Sequence, residues 1–204
     1  MFKKKQHIWF VKFSCYNKAM LNLPNILTVS RILMLPVIIF LFLMEGTWGV
    51  TAMWWAFALY AIACITDYLD GWLARKLNQT TAFGTFLDPI SDKIFVGSLL
   101  LIFAGVGRIY GVWLIPAIVI FAREFLISGL REYLGQKNVA LPVTRLAKWK
   151  TVSQMVATGI LIVGPYVPYG LLIGHWALVA AAAITFVTGW KYMKAGLDHM
   201  RKMT

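Results

Sequence analysis

Four of the eight acidic residues of this chain fall in one short stretch, D-Y-L-D-G-W-L-A-R-K-L-N-Q-T-T-A-F-G-T-F-L-D-P-I-S-D, running from Asp67 to Asp92. At about 100° per residue, Asp67, Asp70, Gly71 and Ala74 share one helix face, and Gly84, Asp88 and Asp92 share one face of the next helix. Two such helices side by side would gather four carboxylates around one cavity. Carboxylates in an apolar setting are costly unless paired, hydrated or bound to a cation, so the cluster is a functional-site hypothesis. Hard divalent cations with oxygen ligands, Mg²⁺ or Mn²⁺, are its natural countercharge. Four carboxylates can hold two such ions about 3.5 to 4 Å apart, the spacing used to stabilise attacking and leaving oxygens in phosphoryl displacement. Gly71, Ala74 and Gly84 leave room for a substrate to approach the backbone, and Arg75 can neutralise or clamp a phosphate. Small residues in membrane helices serve equally as close packing contacts.

The elements that must position these residues are apolar. The 204 residues are 60% hydrophobic and 14% charged with a mean hydropathy of +0.71, which fits an all-α integral membrane protein and not a soluble domain. The net charge of +12 raises nucleic acid as a partner. The basic residues, however, lie between hydrophobic stretches and form no DNA- or RNA-binding module. Residues 1–22 mix Lys3, Lys4, Lys5, Lys12 and Lys18 with Ile8, Trp9, Phe10, Phe13 and Tyr16. They lack the apolar core and cleavage site of a signal peptide and read as a juxtamembrane amphipathic helix on an anionic leaflet. Residues 23–204 then form one domain of six transmembrane helices. The expected spans are 25–44, 50 into the acidic stretch, 84–104, 111–130, 149–163 and 169–190.

Orientation follows from the loop charges. Placing both termini, the turn between spans two and three and the segment between spans four and five on one side collects 19 of the 20 Lys and Arg residues there, leaving Arg108 near the other face. By the positive-inside rule the crowded side is cytoplasmic, and both termini lie there. Span two then runs inward and span three outward, so all four aspartates reach the cytoplasmic edge together. The short connections 45–49 and 164–168 fit the outer face. Cys15 and Cys64 read as structural thiols, the three histidines as packed or interfacial residues, and most tryptophans as interface anchors.

The order Asp67-x2-Asp70-Gly71-x2-Ala74-Arg75-x8-Gly84-x3-Asp88-x3-Asp92 resembles, at all eight fixed positions, the signature of the CDP-alcohol phosphatidyltransferases. These membrane enzymes move a phosphatidyl or related group from a CDP-linked donor to an alcohol. The resemblance implies that Asp67, Asp70, Asp88 and Asp92 hold two divalent metals, and that Asp92 is also the catalytic base toward the acceptor hydroxyl. It further implies that Asp70, Gly71, Ala74, Arg75 and Gly84 frame the cytidine diphosphate, and that the enzyme is a homodimer. The flanks L-P-N-I-L-T-V-S-R, A-R-E-F-L-I-S-G-L-R-E and A-K-W-K-T-V-S-Q-M resemble, within the family, the phosphatidylglycerophosphate synthases. Those take sn-glycerol 3-phosphate as acceptor and CDP-diacylglycerol as donor, within the bacterial cytoplasmic (inner) membrane and with the site facing the cytoplasm.

The residues agree with a dianionic acceptor. Arg123 falls in the cytoplasmic half of span four, where an unpaired cation is costly; Arg131 follows two turns later, and Arg145, Lys148 and Lys150 open span five. Arg123, Arg131 and Lys148 are the candidates for the acceptor phosphate, with Arg145 and Lys150 equally readable as topology charges and Arg123 as a partner of Glu124 or Glu132. Asn25, Thr28 and Arg31 reach the same membrane face and make a possible pocket wall. Two competing readings stand beside this one. A cardiolipin synthase of the same family would use phosphatidylglycerol, a lipid without a terminal phosphate. A divalent-cation transporter would use the carboxylates as an ion site, but there is no inverted repeat or matched pair of broken helices.

Overall fold

A computed structural model describes residues 23–77, 82–137 and 145–201. The amphipathic helix expected over residues 1–22 lies outside them. Among the described residues the long elements are all helices: α1 Leu23–Leu43, α2 Val50–Leu77, α3 Ala82–Gly105, α4 Leu114–Gln136, α5 Arg145–Val163 and α6 Gly170–Arg201. A helical turn at Glu45–Trp48 joins α1 to α2, and short 3-10 turns precede α4 and α6. Pro24 sits in the first turn of α1, where its missing N–H costs nothing. Beyond the expected spans, α4 continues through Gln136 and α6 through Arg201. Polar residues extend these helices because intrahelical hydrogen bonding does not stop where hydropathy does.

Four stretches are long and apolar enough to cross a membrane: Asn25–Leu43, Val50–Asp67, Gly111–Gln136 and Gly170–Arg201. The other two long helices carry charge in their first halves, Asp88, Asp92 and Lys93 in α3 and Arg145, Lys148 and Lys150 in α5. The surface confirms the membrane class. Large apolar side chains such as Leu33, Trp55, Leu101, Ile118, Phe186 and Trp190 are exposed, whereas Asn25, Arg31, Gln154, Thr158, Thr185 and Thr188 are buried. An apolar surface over an interior that also holds polar side chains fits an integral membrane protein whose solvent is lipid.

The helices close a ring. α1 packs on both α2 and α3; α2 packs on α5, α5 on α6, α6 on α4, and α4 on α3, while α3 also touches α5 across the middle. The core inside it is built from Ile38, Met53, Leu99, Phe103, Ile120 and Leu161. α6 joins α4 to α5 through small residues. A methyl group at Gly174 would lie 2.8 Å from Leu161, one at Gly189 2.8 Å from Arg123, and one at Gly196 2.8 Å from Leu130. Such close approach is how membrane helices gain packing without a hydrophobic driving force between them.

At one end of the ring the connections are knotted together. Arg108, 3% exposed, donates to Glu45 Oε1 at 2.6 Å and to Leu161 O at 2.7 Å, and also to Ile162 O. Its guanidinium lies over the Phe42 ring. Tyr166 donates to Glu45 Oε1 at 3.0 Å, and the His175 ring, stacked on Trp113, meets Arg108 O at 2.7 Å. Arg108, the one basic residue expected near the outer face, is therefore a buried, paired residue that also caps the C-terminal carbonyls of α5.

Candidate active site

The other end of the ring opens into a pocket. It is lined from α1 by Arg31, from α2 by Tyr60, Cys64 and Asp67, from α3 by Asp92 and Lys93, from α4 by Glu124, and from α5 by Lys150 and Gln154. Five helices thus contribute, and of the four aspartates expected at the site Asp67 and Asp92 are in the lining. Carboxylate oxygens of Asp67, Asp88 and Asp92 come within 4.8 Å of one another. Asp67 and Asp92 are on different helices, α2 and α3, which do not meet as a simple facing pair. Each packs on α1, and α1 sends Arg31 between them: Nη2 is 2.5 Å from Asp67 Oδ1, and Nη1 is 2.7 Å from Asp92 Oδ1.

Local sequence sets these positions. Asp88 and Asp92 are one turn apart in α3, and Pro89 between them removes one backbone donor, freeing a carbonyl in the preceding turn. Ser91, buried, returns its hydroxyl to Asp88 O at 2.9 Å and satisfies an acceptor in the same turn. Asn25, Thr28 and Arg31, three residues apart on α1, are all buried on one face. Of these, Arg31 reaches the pocket wall. The pocket floor is tied by Tyr60, whose hydroxyl lies 2.9 Å from Met155 O and 2.5 Å from Thr158 Oγ1, and whose ring stacks on Phe95.

A second charged group faces the carboxylates across the pocket. Lys150 Nζ donates to Glu124 Oε1 at 2.6 Å, and the same oxygen accepts from Arg123 at 3.3 Å and from Gln154 Nε2 at 3.4 Å. Gln154 also reaches Thr185 Oγ1 at 3.0 Å, anchoring the group to α6. Glu124 was absent from the residues expected at the site, and Lys150 ranked there below Lys148. The signal that could have found the pair is the opposite sign of two charges, each inside an apolar helix at the same membrane depth.

The remaining expected residues divide. Gly84 is partly buried in the first turn of α3. Asp70, Gly71, Ala74 and Arg75 lie on the last turns of α2, and Lys148 on the first turn of α5, but their side-chain surroundings lie outside the described residues. Arg123 and Arg131 are not among the pocket lining: Arg123 packs against Gly189 and donates to Thr188 Oγ1 at 3.2 Å, and Arg131 lies over the Tyr192 ring. Both face α6, because the helix face that carries them looks along the ring and not into it.

Oxygen ligands alone, gathered from two helices beside a cation-lined pocket at one end of a membrane bundle, fit a hard divalent ion. The architecture is therefore that of a membrane bundle with an acidic site suited to a divalent ion. The chain belongs to the CDP-alcohol phosphatidyltransferase family, whose family model matches residues 21–187. It is 44% identical, over 86% of its length and 97% of the relative's, to the CDP-diacylglycerol–glycerol-3-phosphate 3-phosphatidyltransferase of Rickettsia typhi. A protein of the same name from Pseudomonas fluorescens is 37% identical over 89% of this chain and 93% of its own. The cardiolipin synthase (CMP-forming) of Oryza sativa is 39% identical over 70% of this chain and 46% of its own length.

Proposed function

We propose that this protein transfers the phosphatidyl group of CDP-diacylglycerol to sn-glycerol 3-phosphate, giving phosphatidylglycerophosphate and CMP in phospholipid biosynthesis. The observation that carries the reading is the joint pocket, with Asp67 and Asp92 on one side, Asp88 beside them, and the Lys150–Glu124 pair on the other, in a chain that is similar over nearly its whole length to relatives bearing that activity's name. Asp67, Asp88 and Asp92, with Asp70 one turn along α2, are the residues that would hold divalent metal, two ions of Mg²⁺ or Mn²⁺ by the family resemblance. Metal bound by these residues would supply positive charge to the donor's pyrophosphate, which favours departure of CMP.

The chain's own residues do the rest. Asp92, half exposed toward the pocket, takes the proton of the acceptor's 1-hydroxyl as that oxygen attacks the β-phosphorus. Gly71, Ala74, Arg75 and Gly84 frame the cytidine diphosphate. Lys148 and Lys150, at the start of α5, meet the acceptor phosphate. Arg123 and Arg131 support them through α4, Arg123 by sharing Glu124 with Lys150. The six long helices all cross the membrane, with residues 1–22 along the cytoplasmic leaflet, both termini and the pocket facing the cytoplasm of a bacterial inner membrane, and two copies forming a homodimer.

CMP release by purified protein from CDP-diacylglycerol, screened against glycerol 3-phosphate, phosphatidylglycerol, serine and inositol phosphate, tests the reading. Release with glycerol 3-phosphate alone is expected. Release with phosphatidylglycerol alone would make the protein a cardiolipin synthase, and Mn²⁺ uptake into liposomes without any CMP release would make it a transporter. Asp92→Asn should lower turnover about 10²- to 10⁴-fold with helix content unchanged, the range for loss of a general base. Chelation of divalent metal should abolish it.

A further inference from the structure

Asp67 and Asp92 meet a cation that the chain itself carries. Arg31 is 2% exposed, and its two terminal nitrogens divide between carboxylates on two helices, at 2.5 Å from Asp67 and 2.7 Å from Asp92. A guanidinium is a planar fork of donors that stays charged wherever it is buried, so this bridge fixes both oxygens and offsets their mutual repulsion. We propose that Arg31 is the resident counter-cation of the carboxylate cluster and competes with the divalent ion for Asp67 and Asp92. The inference rests on these carboxylates as the ion's seat, and is independent of which acceptor the enzyme uses.

The competition follows from geometry. A hard divalent ion binds carboxylate oxygens at about 2.0 to 2.2 Å, and the oxygens of Asp67, Asp88 and Asp92 lie within 4.8 Å of one another. An ion shared by Asp67 and Asp92 would therefore sit against the guanidinium that now bridges them, and like charges this close repel strongly in a buried site. The helix cannot retreat to make room, because Leu35, Ile38 and Phe42 further along α1 are buried in the core. The guanidinium must instead rotate about its own side-chain bonds into the pocket that it already lines. Arg31 thus keeps the metal-free site folded and sets a threshold that a weakly bound cation does not cross.

Mn²⁺ binding to the metal-stripped, detergent-purified full chain, followed by calorimetry or by the electron paramagnetic resonance signal of free Mn²⁺, provides the test. R31Q should bind Mn²⁺ about tenfold more tightly than the parent, the scale of one lost competing charge-assisted hydrogen bond. R31K, which keeps the charge on a shorter stem without the planar two-nitrogen fork, should fall between. The metal-free melting temperature of R31Q should be lower than the parent's, and its rise on adding Mn²⁺ larger. Equal or weaker Mn²⁺ affinity in R31Q would overturn the inference, because Arg31 would then support the ligands and not compete for them. Should R31Q fail to fold without metal, R31K decides in the same way. A parent that binds no Mn²⁺ also overturns it, whereas a parent that binds Mn²⁺ and releases no CMP leaves it standing and removes the proposed reaction.

Discussion

Glu124 accepts three donors on one oxygen, and that count makes the Lys150–Glu124 pair asymmetric. Replacing Lys150 leaves Glu124 with Arg123 and Gln154; replacing Glu124 leaves Lys150 and Arg123 in one partly buried place without their anion. Stranding a buried charge is costly, while removing it together with its demand is not. Glu124→Gln should therefore destabilise the protein by about 1 to 3 kcal/mol and Lys150→Met by less than about 1 kcal/mol, as read from unfolding in detergent. Activity should show the opposite order for the acceptor: Lys150→Met should raise the KM for glycerol 3-phosphate about tenfold, the scale of one charged hydrogen bond to phosphate, with kcat changed less. Equal stability losses in the two variants would remove the asymmetric reading. The sequence made the aspartates legible because four carboxylates in an apolar chain are conspicuous at fixed spacing. It pointed to Arg123 ahead of Glu124 and Lys150 because a guanidinium suits phosphate; what it could not carry was the rotation of α4, which turns Arg123 toward α6 and leaves the neighbouring Glu124 facing the pocket.

Four of the six long helices could be read from hydropathy alone, since runs near the thickness of a bilayer are hard to mistake, whereas α3 and α5 carry charge in their first halves. Their neighbours could not. The acidic stretch suggests α2 against α3, yet α1 packs on both and inserts Arg31 between their carboxylates. Nor does hydropathy identify α6 as the helix that holds α4 and α5, because glycine contributes to packing by what it lacks. The tightest case is the turn from α5 to α6, where a methyl group added at Gly170 would lie 2.6 Å from the backbone oxygen of Gly164 and 2.9 Å from its Cα. Backbone cannot move aside as a side-chain tip can. Gly170→Ala should cost about 1 to 3 kcal/mol, the range for overpacking, and lower the melting temperature in detergent. Gly46→Ala, with nothing within 4 Å of the added carbon, is the control and should change little. Equal melting temperatures would mean that the turn relaxes freely.

At the scale of the whole molecule the two ends of the ring differ in kind. One end holds the pocket with its carboxylates and its two lysines, Lys93 and Lys150; the other is closed by Arg108, Glu45, Tyr166 and His175. Met53, beside Arg108, and Asp67, at the pocket, are fourteen residues apart on α2, about 21 Å at 1.5 Å per residue. That is a large part of a bilayer's hydrocarbon thickness. The charge bias supports the proposed orientation with the pocket end in the cytoplasm, since Lys76, Lys137 and Arg201 lie toward it and the closed end carries Arg108 buried and paired. Thiol labelling of intact cells decides the orientation. In a chain whose Cys15 and Cys64 are replaced by serine, single cysteines at Thr47 and Val167 should react with a membrane-impermeant maleimide added from outside. Cysteines at Lys76 and Lys137 should react only after the cells are opened. The reverse pattern would invert the topology, and labelling of Thr47 and Lys137 from the same side would mean that an even number of α2, α3 and α4 crosses the membrane, so that α3 lies within one leaflet or the ring is not a six-span bundle. The four positions test α2 between Thr47 and Lys76, α3 with α4 as a pair between Lys76 and Lys137, and α5 between Lys137 and Val167.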